Sequence, residues 1–363
     1  MKILHVTDNY TPQGGVQQYI LSVGRLLADH GHSNVVIYTE QTALTIRDGA
    51  WPAYHVRTDA DIAAQVQQVL DAEQPDVAYI HHVSSAALIE RVTDKLPAAA
   101  YVHGFTAVCP GLAKYFRRGD RVCERPFGWG CVPMHYLRRC SAARRPSTLA
   151  RLMRNTASLR QALLRVPRLL AATGYMQGLL VQSGFDPGRI TLLPPHFLTP
   201  DQVPPYRPPA EPDTLLYAGR LEIEKGVPYL LRALRLLPDR VRLVLAGNGT
   251  LRSAYERLSA KLGIAHRVQF LGWFDAAQME RCYRRCSLVV MPSIWPEPFG
   301  KVGIEALAQG RPVVAFAVGG IPDWLDDGIT GLLARPADSA DLARKIEELL
   351  ADRPRQETMG RNG

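Results

Sequence analysis

Two glutamates, Glu297 and Glu305, lie eight positions apart in the stretch WPEPFGKVGIEALAQG and could act together in chemistry. Prolines on both sides of Glu297 exclude it from a helix interior, whereas the residues from Lys301 onward favour a helix that stops at Gly310. Because the stretch follows the apolar segment CSLVVMPS, Glu297 is expected in a strand-end loop and Glu305 in the first turns of the next helix. The two carboxylates are therefore predicted to have different roles rather than to share a proton.

The start of that predicted helix is itself a candidate anion site. Backbone amides in the first turn of a helix have no intrahelical partner and are well placed for a pyrophosphate. A carboxylate would repel a phosphate, so Glu305 is better suited to binding a hydroxyl. The amides concerned belong to Phe299, Gly300, Lys301 and Val302.

Two cations follow another predicted strand, in LLYAGRLEIEKGVPYLL. Arg220 comes directly after the strand, and Lys225 precedes the next helix. An arginine can bind a diphosphate bidentately, and a lysine adds a mobile point charge. The alternative is that both cations only form ion pairs with Glu222 or Glu224.

Glycine-containing turns follow two further predicted strands. In TDNYTPQGGVQQ, Gly14 and Gly15 lie where the chain enters a helix, so their amides could face an anion or a sugar, although such turns are also common in plain loops. In LVLAGNGTL, Gly247 and Gly249, with Asn248 between them, permit close backbone approach. This is only GxG rather than a full dinucleotide fingerprint, so a hydride-transfer cofactor is not indicated.

These residues are positioned by two runs of alternating strands and helices. Strand-like apolar segments include MKILHVTD, SNVVIYTE and PDVAYIHH in the first half, and DTLLYAGR, VRLVLAGNG and RPVVAFAVGG in the second. Such strands, alternating with helices, indicate α/β domains with parallel sheets covered on both faces. Eight prolines in residues 194–213 mark the boundary, so the predicted domains are 1–198 and 199–363. Ligands of such sheets bind at the carboxyl ends of the strands, which predicts a site in the cleft between the domains.

The charge of +9 is concentrated in residues 114–168, which hold 14 basic and 2 acidic side chains. This block suits an anionic partner such as acidic lipid headgroups, nucleic acid or a phosphorylated substrate, and otherwise is a solvated basic face. No base-reading motif or aromatic-interleaved groove accompanies it, so nucleic acid is not expected. The N-terminus MKILHV has one lysine before a short apolar run, which argues against a cleaved signal peptide, and no apolar run of 18 residues appears. A cytoplasmic protein is therefore expected.

Two features could in principle hold a metal ion, and neither is favoured. Asp59 and Asp61 spell DxD, but they precede the helical pattern IAAQVQQVLDAE, so one of them is better explained as a helix cap. Four cysteines cluster in one short, irregular segment without the close CxxC pairs typical of zinc sites, so free thiols are favoured over a structural zinc site or a cross-link. They are Cys109, Cys123, Cys131 and Cys140.

The chain resembles the family 4 retaining glycosyltransferases of the GT-B fold. The resemblance covers essentially the whole chain and rests on TDNYTPQGGVQQY, on YAGRLEIEKG, and on WPEPFGKVGIEALAQGRPVVAFAVGGIPD followed by DGITGLL. It implies two Rossmann-like, doubly wound domains that face each other across a cleft. It also implies a nucleoside-diphosphate sugar as co-substrate and no requirement for a cofactor or divalent metal.

The resemblance further implies roles for the residues at matching positions. Arg220 and Lys225 would neutralise the diphosphate, Glu297 would lie beside the reacting sugar, and Glu305 would bind the ribose hydroxyls. The remaining donor-binding positions would be Gly14, Gly15, Gly247, Asn248, Trp273, Phe274, Phe299, Gly300, Lys301 and Val302.

On the first domain, the resemblance points to His103 in AAAYVHGF. Similar enzymes often have a His-Asp pair here that touches the sugar and the reaction centre, but this chain has Gly104 in place of the aspartate. That departure leaves open a second interpretation, a catalytically weak scaffold that binds nucleotide sugars. Without a family assignment, a single histidine after a strand is as often structural as functional.

The implied acceptor is a saccharide or lipid-linked hydroxyl in cell-surface polysaccharide or glycolipid synthesis. Together with the basic block, this predicts peripheral contact with anionic lipid on the inner membrane face. Family members usually continue into a C-terminal helix that crosses back onto the first domain. Here the chain stops at MGRNG, so that helix is expected to be missing and the polar end is expected to lack core contacts.

Overall fold

The computed structural model describes residues 1–12, 14–46, 49–141, 143, 145–195 and 203–363. The chain divides into two compact units. The first contains the described residues up to 195 except Asp120–Val122, and the second contains those three residues and the described residues from 203 onward. The predicted boundary between residues 198 and 199 lies outside the described residues.

The first unit is built on a parallel sheet whose strands are predominantly apolar. Strands up to residue 192 are β1 (Lys2–Asn9), β2 (Ser33–Glu40), β3 (Ala53–His55), β4 (Val77–Ile80), β5 (Ala98–Tyr101), β6 (Tyr115–Phe116), β7 (Arg121–Val122), β8 (Arg168–Ala171) and β9 (Ile190–Leu192). Seven form the sheet in the order β3-β2-β1-β4-β5-β8-β9. The six central residues of β1 are all buried, as expected for a strand covered on both faces.

Helices connect the strands of this sheet. They are α1 (Gly15–Asp29), α2 (Ile62–Glu73), α3 (Ala86–Thr93), α4 (Cys131–Arg138), α5 (Pro146–Arg165) and α6 (Gly174–Gln182). The Asp61 side chain accepts a hydrogen bond from the Ala64 amide and caps α2, while Asp59 forms a bidentate pair with Arg57. The interpretation of the DxD string as a cap is therefore confirmed.

The second unit has its own parallel sheet. Its strands are β10 (Thr214–Ala218), β11 (Arg242–Ala246), β12 (Val268–Gly272), β13 (Leu288–Met291), β14 (Val313–Phe316) and β15 (Gly331–Ala334), in the order β12-β11-β10-β13-β14-β15. Its helices are α7 (Val227–Leu236), α8 (Arg252–Lys261), α9 (Ala276–Arg285), α10 (Lys301–Ala308), α11 (Ser339–Ala351) and α12 (Arg353–Asn362). Helix α10 starts and ends where the sequence predicted.

The final helix corrects the expectation of an end without core contacts. In α12 the side chains of Gln356 and Met359 are buried, and Gly360 is packed so closely that a Cβ there would lie 2.4 Å from the Gly310 carbonyl oxygen. The Arg361 guanidinium lies 4.7 Å from the ring centroid of Tyr206. The hydrophobic pattern of the last residues did not predict these contacts, because Met359 is the only apolar side chain of α12 that packs inward. The other contacts are made by backbone and polar groups.

In both sheets the strand order reverses once, and the loops beside that reversal carry several of the candidate residues. In the second unit the reversal lies between β10 and β13, which precede Lys225 and Glu297 respectively. In the first unit it lies between β1 and β4. Such switch points are where open parallel sheets bind ligands. No helix among the described residues is both long and apolar enough to span a membrane.

Candidate nucleotide-sugar site

A buried ion pair forms the centre of the candidate site in the second unit. The Lys225 Nζ donates a hydrogen bond to the Glu297 Oε1 across 2.7 Å, and the Ser293 hydroxyl donates to the same oxygen across 2.6 Å. The ammonium group also lies 5.0 Å from the ring centroid of Trp295. Two strand-end loops that are distant in sequence thus meet at one carboxylate.

The Glu297 carboxylate is ionised despite its burial. Burial by itself raises the pKa of a carboxyl group, but the charge and hydrogen bond of Lys225 and the hydroxyl of Ser293 outweigh it, so the pKa of Glu297 lies below its usual value of 4.5. The site therefore contains a fixed negative charge beside a fixed positive charge, both largely screened from water.

The two loops are held together by close backbone contacts, one of which only glycine allows. Gly226 has a φ of 67°, and a Cβ there would lie 1.8 Å from the carbonyl oxygen of Pro292. The Ile294 amide donates to the Glu224 carbonyl across 3.0 Å, and the Gly320 amide donates to the Glu297 carbonyl across 2.7 Å. These contacts fix the backbone on both sides of the ion pair.

Replacing Gly226 by alanine is expected to lower the free energy of unfolding of the second unit by more than the cost of placing an alanine in the left-handed conformation. The left-handed conformation costs about 1–2 kcal/mol, and the clash with Pro292 must add to it by forcing the two loops apart. Gly263 provides a matched control, since it has a φ of 74° but a Cβ at that position would meet nothing within 4 Å. Urea unfolding of Gly226→Ala and Gly263→Ala measures the difference, and equal losses would contradict the close approach.

Arg220 occupies the mouth of β10 in an exposed position. Its guanidinium lies 3.5 Å from the Glu224 carboxylate, and its carbonyl accepts a 2.6 Å hydrogen bond from the Tyr217 hydroxyl. Glu222 instead accepts hydrogen bonds from the amide and hydroxyl of Thr250, at 2.9 and 2.7 Å. The alternative of local ion pairing thus applies to Arg220, through one long contact with Glu224. It does not apply to Lys225, which pairs with Glu297.

The glycines after β11 pack against the neighbouring loop of their own unit. A Cβ at Gly247 would lie 1.8 Å from the Gly219 carbonyl oxygen, and one at Gly249 would lie 2.6 Å from that of Leu221. The Asn248 carbonyl accepts a 3.0 Å hydrogen bond from the Leu221 amide, and the Asn248 side chain is exposed. The backbone at Gly247 and Gly249 therefore approaches the loop that carries Arg220, which accounts for the predicted close approach within this unit.

Glu305 lies one turn into α10, as predicted. Its carboxylate is partly exposed and is held by the Lys301 ammonium at 3.0 Å and the Tyr283 hydroxyl at 3.1 Å. Helix α10 begins after Gly300, whose φ of 97° and lack of a side chain leave the helix without a side-chain cap. The Phe299 carbonyl accepts a 2.5 Å hydrogen bond from the Trp324 indole, and Val302 lies in the first turn.

The predicted base-flanking residues follow β12. Trp273 is 60% exposed, and Phe274 is half-buried immediately before Asp275, which caps α9 in a capping box with Gln278. An exposed indole on a fixed helix start can provide a face for stacking.

In the first unit, Gly14 is the N-cap of α1, with a φ of 106°, and its carbonyl accepts a hydrogen bond from the Gln18 amide. Gly15 is the first helical residue, and a Cβ there would meet nothing within 4 Å. Contacts with the described residues therefore do not explain why position 15 is glycine, whereas close approach of a ligand would.

His103 belongs to a cluster of histidines that the sequence patterns did not predict. Its Nε2 lies 3.4 Å from the His81 Nδ1, and the His81 Nε2 lies 3.0 Å from the His5 Nδ1. Burial lowers the pKa of His5 to about 4, and burial together with the nearby His82 lowers the pKa of His103 to about 3. All three imidazoles are therefore neutral at neutral pH, and His103 is not a solitary histidine.

The four clustered cysteines are free thiols, with Cys109 buried and the other three half-buried. Burial, followed by the proximity of the other three thiols, raises the pKa of Cys140 to about 12. Among the described residues no group of three or more histidine, cysteine or acidic side chains is arranged to hold a metal ion. The prediction that Cys109, Cys123, Cys131 and Cys140 hold no structural zinc stays untested.

Comparison with known proteins gives the family. A model described as Glycosyltransferase Family 4 matches residues 13–197, and one described as Glycosyl transferases group 1 matches residues 200–363. A D-inositol 3-phosphate glycosyltransferase of Nocardia farcinica is 36% identical over 225 residues, which are 55% of this chain and 49% of the relative. An uncharacterised glycosyltransferase of Methanocaldococcus jannaschii is 36% identical over 140 residues, which are 38% of this chain and 36% of the relative. The chain thus matches about a third to a half of the length of these curated relatives.

Solved structures share the fold. The Anabaena protein Alr3699/HepE, crystallised with UDP, has a TM-score of 0.70 at 21% identity, covering 100% of this chain and 93% of that one. The sucrose-phosphate synthase of Thermosynechococcus elongatus has a TM-score of 0.72 at 20% identity, covering 99% and 92%. The predicted GT-B fold class is confirmed. Because one of the two family models matches half of the chain and the other most of the rest, the chain belongs to glycosyltransferase family 4.

Proposed function

We propose that this chain transfers a sugar from a nucleoside-diphosphate sugar to a hydroxyl of a saccharide or lipid-linked acceptor, with retention of anomeric configuration and without a divalent metal. The observation that carries the proposal is the buried, ionised Glu297–Lys225 pair at the switch point of the second unit. In a site for a nucleotide sugar, the cation suits the leaving diphosphate and the anion suits the developing positive charge on the sugar.

The other residues of the second unit supply the rest of a donor site. Arg220 is exposed and held only by a 3.5 Å contact with Glu224, so it can turn to a diphosphate at little cost. The first turn of α10 offers backbone amides to the same group, and Glu305 offers a carboxylate to ribose hydroxyls. Trp273 and Phe274 are proposed to flank the base.

Binding of the nucleotide is the first test, because it needs no acceptor. Thermal shift with UDP, GDP and ADP should show stabilisation by one of them in proportion to RT ln(1+[L]/Kd). UDP is expected to be the strongest, since structures of the Anabaena relative contain UDP and UDP-glucose. Turnover of the matching sugar donors, assayed by release of the nucleotide, should persist in EDTA.

The same assays separate the proposal from the scaffold interpretation. Binding without turnover of any donor, in the presence of candidate acceptors, would favour a nucleotide-sugar-binding scaffold, for which the missing aspartate beside His103 is the motivating feature. Loss of turnover in EDTA that added metal restores would contradict metal independence. Inversion of the anomeric centre in the product would contradict retention.

We also propose that the first unit contacts anionic lipid on the inner membrane face. The basic block contains an open depression of about 450 Å³ lined by Arg118, Arg125, Arg138, Met134 and Leu137. None of these three arginines forms an ion pair within the part of the chain that the structure describes, and the neighbouring Trp129 is 88% exposed. Unpaired guanidinium groups around apolar side chains, beside an exposed indole, suit the headgroup region of a bilayer.

Removing two of these charges is expected to weaken vesicle binding about 30-fold. Each basic residue near an anionic surface contributes about 1 kcal/mol, so Arg118→Gln/Arg138→Gln should lose about 2 kcal/mol for phosphatidylserine vesicles at low salt. Arg25→Gln/Arg91→Gln is a matched control, because both arginines are exposed on other helices of the same unit. Equal weakening in the two double variants would show non-specific charge attraction rather than a membrane-facing depression.

A further inference from the structure

Four polar side chains form a buried chain across adjacent strands of the first unit. Asn34 lies on β2, His5 on β1, His81 directly after β4, and His103 two residues after β5, which are neighbours in that order. The Asn34 Oδ1 lies 2.9 Å from the His5 Nε2, and the two imidazole–imidazole distances are 3.0 and 3.4 Å. Asn34, His5 and His81 are almost completely buried.

The direction of the hydrogen bonds is fixed at the Asn34 end. The Asn34 Nδ2 donates to the Gly24 carbonyl across 2.9 Å, and a carbonyl can only accept, so the Oδ1 must be the atom that faces His5. An amide oxygen also only accepts, so the His5 Nε2 must carry a proton. Because burial lowers the pKa of His5 and keeps it neutral, its Nδ1 is bare and accepts from the His81 Nε2.

The same reasoning passes along the chain to His103. Burial, together with the neighbouring His5 and His103, lowers the pKa of His81 well below its usual value, so His81 carries only the proton on Nε2. Its Nδ1 therefore accepts from the Nε2–H of His103, the longest link of the chain. The reverse order would place a bare His5 Nε2 against the Asn34 Oδ1, two acceptors facing each other.

We infer that Asn34, His5 and His81 are positioning residues that lock His103 as the Nε2-protonated tautomer and leave its Nδ1 as a hydrogen-bond acceptor. The His103 Nδ1 makes no hydrogen bond with the residues that the structure describes. A cavity of about 20 Å³ lined by His81, His82 and His103 has room for a single hydroxyl or water.

The inference deepens the proposed function and rests on it for the identity of the ligand. A bare Nδ1 accepts a hydrogen bond from a sugar hydroxyl and orients that hydroxyl. It is a weak proton acceptor, because a general base works best with a pKa near the operating pH, and the pKa of His103 is about 3. His103 would thus select a hydroxyl by geometry, which needs no aspartate at position 104.

The tautomer can be read directly by two-bond ¹H–¹⁵N correlation spectra of the full chain labelled with ¹⁵N-histidine at pH 7.5. His103→Gln identifies the His103 signals by their loss. The expected spectrum has a protonated Nε2 and a bare Nδ1 for His103, and the same for His5 and His81. A protonated Nδ1, a doubly protonated ring or averaged signals for His103 would overturn the inference.

The Asn34→Leu variant tests whether the lock originates at Asn34. Leucine cannot accept the His5 proton, so the two ring-nitrogen signals of His103 should move toward each other, and kcat/KM for sugar transfer should fall about 5- to 10-fold. Exposed Asn155, changed to leucine, should alter neither readout. If His103 keeps its tautomer in a folded Asn34→Leu protein, the positioning role is wrong. If that variant does not fold, the wild-type spectrum still decides the tautomer.

The spectra need no donor and no turnover, so they are independent of the proposed activity. A protein that turns over no sugar donor but shows the expected tautomers would retain the lock and lose the proposed function. A protein that transfers sugar but shows the opposite tautomer of His103 would retain the proposed function and overturn the tautomer inference.

Discussion

Replacing Glu297 by glutamine is expected to lower the kcat of sugar transfer about 100- to 1000-fold while changing the donor KM only a few-fold. Glutamine keeps the shape and can still accept from Ser293 and Lys225, which lie 2.6 and 2.7 Å from the carboxylate. It lacks the negative charge that the proposed mechanism sets beside a sugar on which positive charge develops. Steady-state rates with the donor selected by thermal shift measure the loss.

Glu305→Gln is the comparison variant that distinguishes a catalytic role of Glu297 from a binding role. Glu305 is partly exposed on α10, outside the buried pair, and is proposed to bind ribose hydroxyls. Its loss should raise the donor KM about 10-fold and leave kcat within a few-fold, because a charge-assisted hydrogen bond to a part of the donor that does not react contributes about 1.5 kcal/mol to binding. If Glu297→Gln behaves like Glu305→Gln, then Glu297 is a binding residue and not a catalytic one.

The contribution of wild-type Glu297 to stability also has a defined pH dependence. Since the pKa of folded Glu297 lies below 4.5, its pairing stabilises the protein above about pH 4.5, and this contribution is lost as pH falls through the lower folded value. Glu297→Gln removes that dependence. Both Glu297→Ala and Glu297→Gln remove the counter-charge of the Lys225 ammonium, whose side chain is only 18% exposed. Glu297→Ala should be the less stable of the two, because alanine also removes the oxygen that accepts hydrogen bonds from Lys225 and Ser293.

The local geometry of the candidate site could be predicted from sequence because it depends on short-range rules. Prolines place Glu297 in a loop, and Gly310 stops the helix α10 that follows. The alternation of strands and helices places this loop and helix after a parallel strand. These rules specify where a residue lies along its own element. They therefore predicted the strand-end positions of Lys225 and Glu297, the position of Glu305 in the following helix, and the two-sheet fold.

Contacts between distant segments could not be predicted in the same way. From spacing alone, the alternative to a diphosphate site was ion pairing of Lys225 with Glu222 or Glu224. Its observed pairing with Glu297 depends on β10 and β13 being neighbours in the sheet. Ser293 and Tyr283 carry no motif, although they donate hydrogen bonds to the two candidate carboxylates. The histidine chain is similar, because His5, His81 and His103 are aligned only by the order of three strands.

The first unit is expected to lose stability steeply as pH falls below about 6.5. His5 and His103 have folded pKa values of about 4 and 3, and the pKa of His81 is also low, whereas each would titrate near 6.5 in an unfolded chain. Between these values the unfolded chain binds protons that the folded chain does not, so each histidine lowers the free energy of unfolding by about 1.4 kcal/mol per pH unit. The adjoining Tyr19, Tyr79 and Tyr101 have raised pKa values and stay neutral throughout this range.

Amide hydrogen exchange of β1, β4 and β5, corrected for intrinsic rates, isolates this effect from the carboxylates of the second unit. From pH 6.5 to 5.0 each histidine should remove about 2 kcal/mol of protection. His81→Gln should lower the free energy of unfolding at pH 7.5. It should also reduce the dependence of that free energy on pH by the contribution of one histidine, because glutamine does not titrate. Exposed His30, changed to glutamine, should leave the slope unchanged. A wild-type slope no steeper than that of His81→Gln would mean that the buried imidazoles accept protons in the folded state, in which case they could not hold His103 in a single tautomer.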